Sequence, residues 1–222
     1  WSSDVCSSDL IGRAHVSTPA GITGTTSVCT GFTTTLADAT PGGTWSSSNT
    51  AIGTVGAGTG VVGGIAAGNV TITYTMGTGC FVTTTITVNQ TPAAITGTNT
   101  VCIGLTTVLS NTLSGGLWSS SNTAQATVGS TTGIVTGVAI GTPNITYAMP
   151  TGCLVSVNIT VSPAPASITG PTAVCAGSPI TLSDATSGGV WSSGNSSIAT
   201  VNPGTDRKST RLNSSHVALS RM

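Results

Sequence analysis

A tryptophan returns at a fixed interval along this chain, and that interval restricts the available folds more than any other feature. Trp45, Trp118 and Trp191 are 73 residues apart, as are Cys29, Cys102 and Cys175, and again Cys80 and Cys153. Ile22-Thr23-Gly24 recurs as Ile95-Thr96-Gly97 and Ile168-Thr169-Gly170. The hexapeptide WSSSNT at 45–50 recurs unchanged at 118–123 and as WSSGNS at 191–196. Several landmarks sharing one register mean tandem copies of a structural unit. They predict units at 17–90, 91–162 and 163–205, the third lacking its second half.

Within a unit the apolar period is two, the period of a strand with one buried face. Val70, Ile72 and Tyr74 alternate with Thr71, Thr73 and Thr75, while Cys80, Val82, Thr84, Ile86 and Val88 form a second alternating face. Asn158-Ile159-Thr160-Val161 closes the second unit in the same way. Turn clusters separate the runs: Pro41-Gly42-Gly43, Ser114-Gly115-Gly116 and Ser187-Gly188-Gly189. Short strands with frequent turns predict an all-β sandwich or barrel of about seven strands per unit. Gln90-Thr91-Pro92 and Ser162-Pro163-Ala164-Pro165 read as short linkers, because Pro lacks the donor a continuing ladder needs.

Charge narrows the functional classes. Only 5% of residues are charged, against roughly a quarter in ordinary soluble proteins. No apolar run approaches the ~20 residues of a spanning helix, so no membrane span is expected. The net charge is zero, which removes the electrostatic case for nucleic acid. All five basic residues lie at the ends: Arg13, Arg207, Lys208, Arg211 and Arg221. Between Ser17 and Thr205 the ionisable side chains other than Cys and Tyr are Asp38 and Asp184.

The two ends read differently from the repeats. WSSDVCSSDL at 1–10 resembles an in-frame translation of a common sequencing-library adapter, and IGRAHV at 11–16 its opposite strand. DRKSTRLNSSH at 206–216 fits the same adapter, and Ser220-Arg221-Met222 fits the bases after its index. On that reading 1–16 and 206–222 lie outside the fold, and the true protein is expected to continue in both directions. The alternative is a basic tail for an acidic partner. Codons at either end unlike the adapter would refute the adapter reading.

The stretch from Trp45 to Tyr74 (WSSSNTAIGTVGAGTGVVGGIAAGNVTITY) resembles the bacterial Ig-like domain, group 2. Trp118 to Tyr147 (WSSSNTAQATVGSTTGIVTGVAIGTPNITY) resembles it again, and the third unit does so up to Val201. Gly53 stands where that family often has Ala. The resemblance implies tandem immunoglobulin-like β-sandwich modules in a secreted or cell-surface bacterial protein, serving as stalks or adhesion modules. The cysteines are not part of the general family pattern and suggest a subgroup.

Cys29 and Cys80 occupy one unit, and Cys102 and Cys153 occupy the same places in the next. The expectation is one disulfide within each complete unit, Cys29–Cys80 and Cys102–Cys153, in an oxidising compartment. Free thiols or a metal site are the alternatives. The repeats contain no His and no C-x-x-C spacing, which argues against metal. Cys175 is left over, its counterpart falling beyond Met222, and Cys6 belongs to the adapter-like segment.

Trp45, Trp118 and Trp191 read as core aromatics, with stacking on sugar as the alternative. Asp38, Asn111 and Asp184 fill equivalent positions and read as turn caps rather than calcium ligands. Thr33-Thr34-Thr35 and Thr83-Thr84-Thr85 with Thr87 read as an uncharged outer strand face, against a hydroxyl array for ice or polysaccharide.

Catalysis is not expected. The repeats hold no His, Glu or Lys as general base, and the two carboxylates fall in different units. Gly56-Ala57-Gly58-Thr59-Gly60 lacks the Lys and following helix of a phosphate loop. The expected role is a non-catalytic stalk, spacer or adhesion region without a cofactor. Its partner would be an unknown surface glycan or protein, or none. The alternative is a polysaccharide-binding accessory module of an exported hydrolase.

Overall fold

A computed structural model describes residues 18–186, 189–202 and 219–221. Residues 1–16 and 206–218, read above as adapter translation, lie outside the described residues. The chain divides into two compact units. One runs through Val161 without Cys102–Gly104, and the other takes Cys102–Gly104 with the segment from Ser162 onward.

The first unit opens with eight strands: β1 (Thr23–Gly24), β2 (Ser27–Cys29), β3 (Thr33–Ala37), β4 (Thr44–Ser47), β5 (Gly53–Val55), β6 (Val61–Gly64), β7 (Gly68–Thr75) and β8 (Phe81–Asn89). They form two sheets, one ordered β1-β3-β6-β5 and the other β2-β8-β7-β4. All neighbours run antiparallel except β2, which lies parallel to the end of β8. The strand period turns alternate residues inward. Leu36 and Val62 from one sheet therefore meet Val28, Trp45, Val70, Ile72, Tyr74, Ile86 and Val88 from the other in one core. On β8, Thr83, Thr85 and Thr87 face outward, opposite Thr73, Thr71 and Asn69 of β7.

The same order then recurs over β9 (Thr96–Gly97), β10 (Thr100–Cys102), β11 (Thr106–Ser110), β12 (Leu117–Ser120), β13 (Ala126–Val128), β14 (Ile134–Gly137), β15 (Asn144–Ala148), β16 (Leu154–Asn158) and β17 (Thr160–Ser162). One sheet is β9-β11-β14-β13; the other is β12-β15-β16, with β10 paired to β17. Here the last strand is split, and Pro143 explains why. It stands where β7 has Val70, which pairs with Ile86 in β8. Ile159 N still donates to Pro143 O at 2.9 Å, but the proline has no N–H to return. The ladder resumes one step on, at the bridge between Gly141 and Val161.

The recurring hexapeptide has a local role. Asn49 Oδ1 accepts from Ala51 N at 3.0 Å, Asn122 Oδ1 from Ala124 N at 3.1 Å, and Asn195 Oδ1 from Ser197 N at 3.0 Å. The serine two places earlier accepts from each asparagine N–H at 3.3 Å. Side-chain oxygens thus take up the donors of the turn after the tryptophan strand.

Tyrosine joins each complete core to a turn. Trp45 and Tyr74 rings lie 4.6 Å apart, and Trp118 and Tyr147 rings 4.7 Å apart. Tyr74 Oη donates to Thr40 O (2.6 Å) and accepts from Gly43 N (2.9 Å). Tyr147 Oη likewise donates to Leu113 O (2.7 Å) and accepts from Gly116 N (2.9 Å). A Cβ on Gly43 would stand 2.5 Å from the Tyr74 ring. Gly43→Ala should therefore displace the ring and destabilise the chain by about 2–3 kcal/mol, read as a lowered urea midpoint by tryptophan fluorescence. A midpoint within error of wild type would show that the ring moves aside without cost.

In the second unit, β18 (Trp191–Ser193) pairs with β19 (Leu219–Arg221), and Thr169 bridges Ser183. Leu182, Trp191 and Ala199 are buried. β19 falls in the adapter-like segment.

Candidate functional site: a stapled junction

Cys29 is bonded to Cys153, with Cα atoms 5.8 Å apart and a sequence separation of 124. This corrects the expected pairing of Cys29 with Cys80 and of Cys102 with Cys153. The reason is the strand geometry. Cys29 pairs with Asn89 at the end of β8, whereas Cys80 immediately precedes Phe81 at its start. A strand of that length separates them by about 30 Å, and a disulfide tolerates about 7 Å between Cα atoms. Cys102 ends β10, where Ile103 N donates to Ser162 O, and Cys153 precedes Leu154 at the far end of the β16–β17 run. Each sandwich therefore has one cysteine at its exit end and one at the β7–β8 or β15–β16 hairpin, too far apart to meet. Cys102 is a half-buried free thiol, and Cys175 an exposed one. Cys80 is disulfide-bonded, though not to Cys29.

The bond joins the exit end of the first sandwich to the hairpin of the second. The hairpin presents its cysteine through a tight turn: Gly152 adopts φ 88°, and Met149 N donates to Cys153 O at 2.8 Å. Cys153 is buried. On the other side Thr30, next to Cys29, holds the linker. Thr91 N donates to Thr30 Oγ1 at 3.0 Å, and Thr91 Oγ1 donates to Thr30 O at 2.7 Å. Beside the disulfide lies an open cleft of about 410 Å³, lined by Phe32, Thr34, Gly152 and Leu154 among others. Phe32 and Leu154 remain 58% and 52% exposed, so the junction is held by a covalent bond and a threonine clamp rather than by a closed apolar interface.

The other candidates fall into the sandwiches themselves. Trp45, Trp118 and Trp191 are buried, at 8%, 7% and 4% exposure, which withholds their faces from a sugar ring. Asp38 Oδ1 accepts from Thr40 N (2.8 Å) and Ala20 N (3.1 Å). Asp184 Oδ1 accepts from Thr186 N (2.6 Å), and Asn111 Oδ1 from Leu113 N (2.9 Å). Each ties down the backbone two residues on. Among the described residues no three His, Cys, Asp or Glu side chains come together, and no helix is long and apolar enough to cross a membrane.

Asp38 differs from Asn111 in one respect. Its Oδ2 is buried without a hydrogen-bond partner among the described residues, whereas Asn111 Nδ2 donates to Ala93 O at 2.6 Å. Asp38→Asn should supply the missing donor and stabilise the chain by about 1 kcal/mol, read as a raised thermal midpoint. A lowered midpoint would mean that the charge itself is needed at this turn.

Two sheets packed face to face in this order, twice over, define immunoglobulin-like β-sandwiches. Residues 25–86 match the family model of the bacterial Ig-like domain, group 2. Solved structures similar to the chain include the C-terminal fragment of intimin in complex with the intimin-binding domain of the translocated intimin receptor. That likeness has 14% identity and TM-score 0.48, over 69% of this chain and 67% of that one. Domains 4 and 5 of the S-layer protein SbsC match at 18% identity and TM-score 0.32, over 65% and 99%. Mouse cadherin-23 EC22-24 matches at 11% identity and TM-score 0.27, over 88% of each chain. None of the curated proteins matches the chain.

Proposed function

We propose that this chain is a non-catalytic array of Ig-like units, 17–90, 91–162 and 163–205, from an exported or surface-attached bacterial protein, and that it acts as a stalk or spacer. The Cys29–Cys153 bond carries the reading. A spacer must hold successive units in a defined relation, and a disulfide between sandwiches does so more directly than one inside each. The bond also favours an oxidising compartment. The two carboxylates of the repeats support a non-catalytic role, since Asp38 and Asp184 both bond turn backbone.

Small-angle scattering from the oxidised and reduced chain tests the proposal. A spacer predicts a narrower distribution of interatomic distances when oxidised than when reduced. An unchanged distribution would leave the staple without a mechanical role and would sink the reading.

A further inference from the structure

The first sandwich offers a cysteine at its exit end, and the second receives it on its hairpin. We propose that Cys102 is the open half of the next such staple. It would take the hairpin cysteine of a further unit of the same kind, so that successive units are joined in a disulfide ladder. The inference holds whether the array is a spacer or a binding module.

Two observations converge on it. Thr100-Val101-Cys102 repeats the place of Ser27-Val28-Cys29: each strand buries its valine, pairs with the closing strand of its sandwich and leaves its cysteine half-buried at the exit end. The following turns match as well, with Gly31 at φ 83° and Gly104 at φ 81°.

The second observation is an apolar collar. Phe32, three residues past Cys29, and Leu154, next to Cys153, line the cleft at the occupied junction. Leu105 stands in the place of Phe32 and Phe81 in the place of Leu154, and these are 59% and 64% exposed. Their exposure matches that of Phe32 and Leu154 at the formed junction, so the same apolar pair flanks the cysteine positions where a further unit would be joined. Here the neighbour is specified by the junction already formed, namely another copy of the unit.

The chemistry is ordinary thiol–disulfide exchange. Cys102 and the incoming cysteine each lose a proton and together give two electrons to a small disulfide oxidant such as oxidised glutathione. That oxidant leaves as two thiols, by way of a mixed disulfide.

Two peptide-mapping experiments test the ladder. In the first, the chain is continued after Thr205 with a copy of residues 133–162, which completes the third unit in register, and is refolded in a glutathione redox buffer. Cys102 should be found bonded to the added copy of Cys153, with Cys175 open to alkylation. A bond between the added cysteine and Cys175, or alkylation of both Cys102 and the added cysteine while Trp191 fluorescence is native, would overturn the proposal.

The second uses the original chain with Cys29→Ser and does not depend on the added segment folding. Cys102 and Cys153 should both remain alkylatable, because they sit at opposite ends of one sandwich. A Cys102–Cys153 bond within the monomer fraction would show that a unit can staple itself, and the ladder would fail.

Discussion

Pulled from its ends in a Cys80→Ser background, the oxidised chain should yield about 420 Å less contour length than the reduced chain. The figure follows from the sequence separation of 124 between Cys29 and Cys153 at roughly 3.4 Å per residue step when extended. Those residues include β3 through β15, and so most of both cores. Tension on an oxidised chain passes through the disulfide at the junction, and neither sandwich can be drawn out beyond its ends. Disulfides confined to single units would hide two separate shorter lengths, each between the cysteines of one unit. Single-molecule force spectroscopy with and without reductant distinguishes the cases. One large difference supports a staple across the junction; two smaller ones support staples within units.

The second large effect concerns the cores. Trp45→Ala should cost about 3–5 kcal/mol, the range for removing a buried aromatic. Trp45 is packed against Tyr74 at 4.6 Å. Gly60 lies against the indole, where a Cβ would stand 3.2 Å from it, although what requires glycine there is the Leu36 carbonyl and a φ of 67°. Trp118→Ala should cost a similar amount, because Tyr147 and Gly133 repeat the arrangement. The two sandwiches have separate cores, so the costs should add to within about 0.5 kcal/mol in the double variant. Urea unfolding of the single and double variants measures this. Strong non-additivity would mean that the cores are coupled through the junction, and a cost below about 1 kcal/mol would mean that the tryptophan is not part of the core.

Much of the sandwich was legible in the residues, and the reason is local. Alternation of Val70, Ile72 and Tyr74 with threonines assigns the faces of β7 directly, because side-chain direction in a strand depends only on parity. Turn glycines and the asparagine after each tryptophan mark the strand ends for equally local reasons. The split between β16 and β17 was also legible in principle: Pro143 sits where a central strand needs a donor.

The pairing of the cysteines was not legible. Equal spacing in two units shows that the four cysteines are equivalent in pairs, but not which end of a strand each occupies. That depends on β2 lying parallel to the end of β8, a long-range pairing with no local signature. Once it is in place, Cys29 and Cys80 stand a strand length apart and the within-unit bond is excluded. The place of Phe32 and Leu154 beside the junction has no sequence signature for a related reason. Each looks like an ordinary strand or turn residue until two sandwiches are brought end to end.

The most direct test of the account is a disulfide map of the oxidised chain, alkylated without reduction, digested and read by mass spectrometry. The structure predicts a peptide pair linking Cys29 to Cys153, with alkylated Cys102. A pair linking Cys29 to Cys80, or Cys102 to Cys153, would contradict it.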